Sequence, residues 1–160
     1  MTSPAGQNRY RADPNAGLLI DTNLLLLLIV GSCDPSYLLM HKRTQSYRPS
    51  DLHAVLEAIK PYQRWINIPN ILTETSNLLA QSGVLSKAVL FRKFKDFIQE
   101  TEELYVESKR ITSSGHFDRF GLTDLAILEA VREQHVVMTD DFRLADYLRR
   151  ANVMVAIYRG

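Results

Sequence analysis

Apolar residues in this chain fall into two patterns. Short unbroken runs alternate with longer stretches where apolar positions recur every three or four residues. The first pattern predicts buried strands and the second helices. Gly17 to Ile20 is the first strand, ended by Asp21-Thr22-Asn23. Leu24 to Val30 is apolar at every position, which predicts a helix packed on all sides. Gly31-Ser32-Cys33-Asp34-Pro35 stops it. Ser36 to Tyr47 reads as a short helix or an ordered loop. Pro49-Ser50-Asp51 opens a helix with Leu52, Val55, Leu56 and Ile59 on one face, closed by Pro61. Trp65 to Ile68 is the second strand, bounded by Pro69. Asn70 to Ala80 is helical, and Gln81-Ser82-Gly83 ends it. Ser86 caps a helix to about Glu100, buried through Val89, Leu90, Phe94, Phe97 and Ile98. Leu104 to Val106 is a weak strand, Ser113 to Gly115 a loop, and Thr123 the cap of a helix through Glu133. His135 to Met138 is a strand, Asp141 to Arg150 a helix, and Val153 to Ile157 the last strand. This alternation predicts a single α/β domain over residues 17–160, its parallel sheet covered by helices on both faces. Residues 1–16 lack periodicity and are rich in Pro, Gly, Ala, Asn and Arg, which predicts a flexible tail.

Composition adds boundaries. The 160 residues are 46% hydrophobic and 23% charged, ordinary for a globular domain with its own core. A net charge of +1 neither requires nor excludes a nucleic-acid partner. Cys33, the single cysteine, cannot form an internal disulfide or a cysteine-rich zinc site. The seven residues Leu24 to Val30 are too few to span a bilayer, which takes about 18 or more. Arg9, Arg11 and Val30-Gly31-Ser32-Cys33 imitate a lipoprotein signal. Asp21 would then interrupt its apolar segment and Asp13 its basic one. The expectation is a cytoplasmic protein without a membrane anchor.

The candidate chemistry is acidic. Asp21, Glu74, Asp124 and either Asp140 or Asp141 stand where predicted strands pass into helices. In an open α/β sheet those strand ends share one edge, where ligands bind. Carboxylates distant in sequence can meet there, and clustered carboxylates repel unless cations neutralise them. Each acid also has a plain structural explanation. Asp124 sits well in a first helical turn, Asp140 or Asp141 serves as an N-cap, and Glu74 lies on a solvated face. Asp21 resists such an explanation. It lies between an apolar strand and an apolar helix, with no Lys or Arg nearby in sequence, and a deep unpaired carboxylate is costly. Glu74 and Asp124 also flank apolar stripes, Ile71 with Leu78 and Ile127, Leu128 with Val131. Acids facing inward from several elements suit a hard cation with oxygen ligands.

These motifs give the chain a family resemblance. In order, Leu18 to Asn23 as an Asp-x-Asn motif, Thr73-Glu74 with Asn77-Leu78-Leu79, Gly121 to Leu128, and Thr139-Asp140-Asp141 resemble the four motifs of PIN-domain ribonucleases. That group includes many toxins of toxin–antitoxin pairs. The resemblance covers about residues 17–158, with a longer stretch over Gly31 to Leu56 than a minimal member has. It implies a three-layer α/β/α sandwich around about five parallel strands, and Mg²⁺- or Mn²⁺-dependent hydrolysis of RNA phosphodiesters. Asp21 and Asp124 would be central ligands, with Glu74 and the fourth acid completing the site. Thr22, Asn23 and Thr139 would orient carboxylates or metal-bound water. The family pattern of Thr, any residue, then the acid selects Asp141. Alternation along the preceding strand selects the same residue. Asp140 is left as a helix cap or an outer partner.

Arg119, just upstream of Asp124, is a candidate phosphate contact. Lys42, Arg43, His41 and Arg48, with Tyr37 and Tyr47, could bind a nucleic-acid backbone and stack bases, or form a solvated loop. The contiguous apolar residues Tyr37 to Met40 are expected to be buried or to form a homodimer interface. An antitoxin protein is a further partner the resemblance implies. Two other classes compete: a catalytically inactive RNA- or protein-binding module on the same scaffold, and a phospho-acceptor domain using Asp21. The four acids argue against the first. Asn23 argues against the second, because aspartyl phosphatases of the common α/β type carry a second Asp there.

Overall fold

The computed structural model describes residues 13–157. Five parallel strands form one sheet in the order β3-β2-β1-β4-β5: β1 (Gly17–Ile20), β2 (Arg64–Asn67), β3 (Glu102–Glu103), β4 (His135–Thr139) and β5 (Met154–Ile157). Eight helices flank it among the described residues, giving a three-layer α/β/α sandwich: α1 (Thr22–Cys33), α2 (Tyr37–Met40), α3 (Pro49–Ile59), α4 (Pro69–Leu79), α5 (Lys87–Gln99), α6 (Ser108–Thr112), α7 (Phe117–Ala130) and α8 (Phe142–Arg150). Helix α1 packs on α2, α3, α4 and α5, and α7 packs on α6, α4 and α8.

Helix α1 explains its own sequence. Leu24 through Val30 are all buried, because neighbours surround the helix. Every side of it therefore gains from apolar side chains, at roughly 1.5–3 kcal/mol for each large one. Strand β1 is central and fully buried, bonded to β2 on one side and β4 on the other. A Cβ on Gly17 would lie 2.9 Å from His135 Cδ2, so only glycine lets β4 approach this closely.

The strand order places a topological switch beside β1. The chain leaves β1 toward β2 and β3, then returns to lay β4 and β5 on the other side. Right-handed crossovers running in opposite directions put their helices on opposite faces, and a crevice opens between them at the carboxyl ends of β1 and β4. Asp21 N donates to Met138 O at 3.0 Å, carrying the β1–β4 ladder to the crevice rim.

Several sequence expectations shift. Residues 13–16 form a turn, with Ala16 buried and Gln63 N bonded to Pro14 O at 3.2 Å. The flexible tail expected over 1–16 thus does not reach β1, and residues 1–12 lie outside the described part. The third strand is Glu102–Glu103 rather than Leu104 to Val106. It is an edge strand, and only Leu104 N continues toward β2, bonding Asn67 O at 2.8 Å. Helix α7 begins at Phe117 and ends at Ala130, not Glu133, and Thr123 does not cap it. Gly121 instead breaks the helix with φ 78° and ψ −175°, a conformation that side chains exclude. The Gly121 break starts a fresh helical run just before Asp124.

Candidate functional site

Asp21 is the buried centre of the crevice. It caps α1 in extended conformation, and its Oδ1 accepts from Thr22 N at 2.7 Å. Its Oδ2 accepts from Thr139 Oγ1 at 2.8 Å, across the β1–β4 boundary. Thr139 Oγ1 in turn accepts from Asp141 N at 3.0 Å, so one hydroxyl joins the ends of both strands. On the other side Thr22 Oγ1 donates to Glu74 Oε2 at 3.2 Å. Glu74 is exposed overall but directs that oxygen toward the α1 N-terminus. Thr22 and Thr139 thus each bond one of the expected acids, Glu74 and Asp21. Asn23 is exposed on α1 beside them.

The acids also act on one another electrostatically. Burial pushes the Asp21 carboxyl up to about 6; the Thr139 and Thr22 bonds oppose this, and the charges of Asp140 and Glu74 add to it. Burial likewise pushes Asp124 up to about 6, reinforced by Asp21 and Asp141, opposed by Arg143, and reinforced again by Glu74. The expected acids, Asp21, Glu74, Asp124 and Asp141, are thus brought to one crevice from β1, α4, α7 and the β4–α8 junction.

The fourth motif divides its labour differently from expectation. Asp141 is the N-cap of α8, with Oδ1 accepting from Arg143 N at 2.8 Å and Leu144 N at 3.1 Å. Asp140 is not the cap, because the strand ends at Thr139 and the turn swings its side chain to Tyr47. Asp140 Oδ2 accepts from Tyr47 Oη, and its Oδ1 is buried without a hydrogen-bond partner. Tyr47 comes from the longer segment between α1 and β2. Its hydroxyl is pushed well above the ordinary tyrosine range by burial and by Asp140, so it remains a donor. Sequence reasoning missed this anchor, since the partners are 93 residues apart. Tyr47→Phe leaves a second Asp140 oxygen unsatisfied. It is expected to lower unfolding stability by about 1–3 kcal/mol. Chemical denaturation measures this, and a double-mutant cycle with Asp140→Ala, which removes the acceptor, should return most of the loss as coupling; purely additive losses would rule the bond out as its source.

The basic segment is not drawn to the acids as a unit. His41 is fully buried, within 3.5 Å of Leu79 O, so it cannot meet a nucleic-acid backbone. Tyr47 is committed to Asp140 and is not a free stacking ring. Arg43 Nε donates to Gln81 Oε1 at 2.9 Å, and Lys42 beside it is exposed. Gln81 follows Glu74 by seven residues, about 10 Å at the helical rise. Arg119 is exposed on α7 and lines a cavity with Arg143. Arg143 is the cation that acts on Asp124, and sequence reasoning missed it. The signal present was its position two residues after the capping acid.

The donor set is all oxygen, which suits a hard divalent cation and not a soft one. Among the described residues no three acidic, histidine or cysteine side chains are already drawn into a ligand cage. The fit rests instead on the buried, mutually repelling carboxyls of Asp21 and Asp124, the second only partly offset by Arg143, and on the orphaned buried oxygen of Asp140. A cleft of about 420 Å³ with a mixed lining, Asn70, Thr73, Asn77 and Thr123 beside Val106 and Leu122, opens beside Glu74. No helix among the described residues is long and apolar enough to cross a membrane. No protein-family model matches the chain, and no curated protein matches it significantly.

Proposed function

We propose that this protein is a Mg²⁺- or Mn²⁺-dependent endoribonuclease. The observation that carries the reading is the convergence of Asp21, Glu74, Asp124 and Asp141 on the crevice at the β1–β4 switch point, with two of the carboxyls pushed up by burial and mutual repulsion. Asp21 and Asp124 would hold the ion, with Glu74 and Asp141 beside them. A bound divalent ion acidifies water and neutralises charge on a phosphate. Thr139 fixes the Asp21 carboxylate and Thr22 the Glu74 carboxylate, so their oxygens are oriented before any ligand arrives. Asp141 has one oxygen engaged by the α8 backbone, which leaves the other for the crevice.

Resemblance to PIN-domain ribonucleases supports RNA as the substrate. It extends the proposal to a cytoplasmic toxin held by an antitoxin protein. Leu39 and Met40, 63% and 45% exposed, support a homodimer through α2, whereas Leu38 is buried and Tyr37 half-buried. Sedimentation at roughly tens of micromolar, where a modest interface is already populated, should show the dimer; monomer alone would remove it.

The function itself is tested with purified protein, end-labelled RNA and added Mn²⁺ or Mg²⁺. Single-stranded RNA should be cut, and chelation should abolish the cutting. A perfect duplex of the same sequence should be cut at least about tenfold more slowly, since unpaired bases are accessible to side chains and stacked ones are not. Equal rates on the two substrates would remove the single-strand preference. No cleavage of either with any divalent cation would remove the hydrolase.

A further inference from the structure

Beside the acidic crevice the break at Gly121 folds the start of α7 against α8, leaving a cavity of about 270 Å³ between them. Its floor is aromatic. Phe120 and Tyr147 stack at 4.1 Å with 29° between their planes, and His116 meets Tyr147 edge-on at 5.5 Å. Its rim is basic. The guanidinium carbons of Arg119 and Arg143 both lie over the Phe120 ring, at 5.1 and 5.5 Å. Arg150 is paired with Asp146 at 2.9 Å, whereas neither Arg119 nor Arg143 makes a close ion pair among the described residues, the Arg143 charge acting on Asp124 from farther off. Two guanidinium groups held against one ring concentrate positive charge at this rim, which favours an anion there. Phosphate matches their planar forks.

Arg143 links this cavity to the acids. Arg143 N donates to Asp141 Oδ1 at 2.8 Å, and the Arg143 charge acts on Asp124. We propose that this cavity binds the nucleotide next to the scissile bond of a single-stranded RNA, its phosphate between Arg119 and Arg143 and its base against His116 and Tyr147. The choice of ligand rests on the hydrolase reading above. An acidic protein segment would use the arginines and leave the rings idle, whereas a nucleotide uses both. A duplex keeps its bases stacked inside and cannot offer one to the rings.

Binding is measured without catalysis, in EDTA, by anisotropy of a fluorescein-labelled oligouridylate of about six nucleotides. Titrations span about 50 to 200 mM salt. Arg119→Ala, at an exposed position, should weaken binding about tenfold at low salt and reduce the salt slope by about 0.7, the share of one phosphate contact on a single strand. Arg119→Lys should keep the slope. Tyr147→Leu should weaken binding about tenfold with the slope unchanged, as loss of stacking does. Arg110→Ala, in the groove at the opposite edge of the sheet, should change neither quantity. Unchanged affinity and slope in Arg119→Ala overturn the proposal, even in a protein that cleaves RNA. Equal binding of a duplex, or binding of polyglutamate but not of RNA, overturns it as well. Arg119-dependent RNA binding in a protein that never cleaves would instead sink the hydrolase and leave the cavity as an RNA subsite.

Discussion

Asp21→Asn and Asp124→Asn should each reduce metal-dependent RNA cleavage by about three orders of magnitude, as expected when several kcal/mol of charge stabilisation are lost. The substitution keeps side-chain volume and removes one negative charge. Asp21 has both oxygens engaged by Thr22 and Thr139, and an amide can keep an oxygen toward Thr22 N while turning its NH₂ toward the Thr139 hydroxyl. Fold and fixed geometry should therefore survive while the charge on a cation is lost. Asp141→Asn should cost more activity than Asp140→Asn, because Asp140 is held by Tyr47. Rates come from single-turnover cleavage of one labelled RNA by proteins with matching circular dichroism. Wild-type rates in either central mutant would move the chemistry away from this crevice. An inactive wild type that still binds RNA would favour a binding module on the same scaffold.

Removal of the Asp21 charge should also stabilise the metal-free protein at neutral and alkaline pH. Burial raises this carboxyl from 3.8 to about 6, so the folded state holds its proton more tightly than the unfolded chain. By linkage the stability from that proton is fully present below about pH 4 and is lost as pH rises through about 6. At pH 8 the ionised carboxylate then costs about 3 kcal/mol relative to its unfolded state. Asp21→Asn escapes that cost. Its metal-free melting temperature at pH 8 should exceed that of the wild type by about 5–10 °C, the usual response of a domain this size. Near pH 4 the difference should vanish. Mn²⁺ should reverse the ranking once it is saturating, because a ligand at about a thousandfold its dissociation constant adds about 4.1 kcal/mol to the protein that binds it, more than the cost of the buried charge. Calorimetry at two pH values, with and without Mn²⁺, gives all four numbers. An Asp21→Asn protein destabilised equally at both pH values would make Asp21 an ordinary helix cap.

Much of the architecture was legible because it depends on local pattern. Gly17 to Ile20 and His135 to Met138 are short apolar runs that become buried strands. The apolar Leu24–Val30 run becomes a helix enclosed on every side. Asp21 stood out because a polar residue between two such segments has no route to solvent. What depends on distant partners was not legible. The edge strand at Glu102–Glu103 carries no hydrophobic signal, since both residues are exposed. His41 reads as part of a basic surface group, yet packing turns it inward onto Leu79.

By itself the sequence determined the α/β alternation and the parallel sheet, because side-chain period and strand–helix order are local properties; of the four acids expected at strand ends, Asp21 and Asp141 stand there, whereas Glu74 lies inside α4 and Asp124 inside α7. Only the tertiary structure decided which acid does what. Asp140 and Asp141 are neighbours with the same chemistry. The choice between them turns on where β4 ends, on which backbone amides α8 presents, and on a tyrosine brought in from the β1–β2 crossover. The Phe120–Tyr147 cavity likewise exists only because Gly121 breaks α7 and lays its first turn against α8, a juxtaposition that no window along the chain contains.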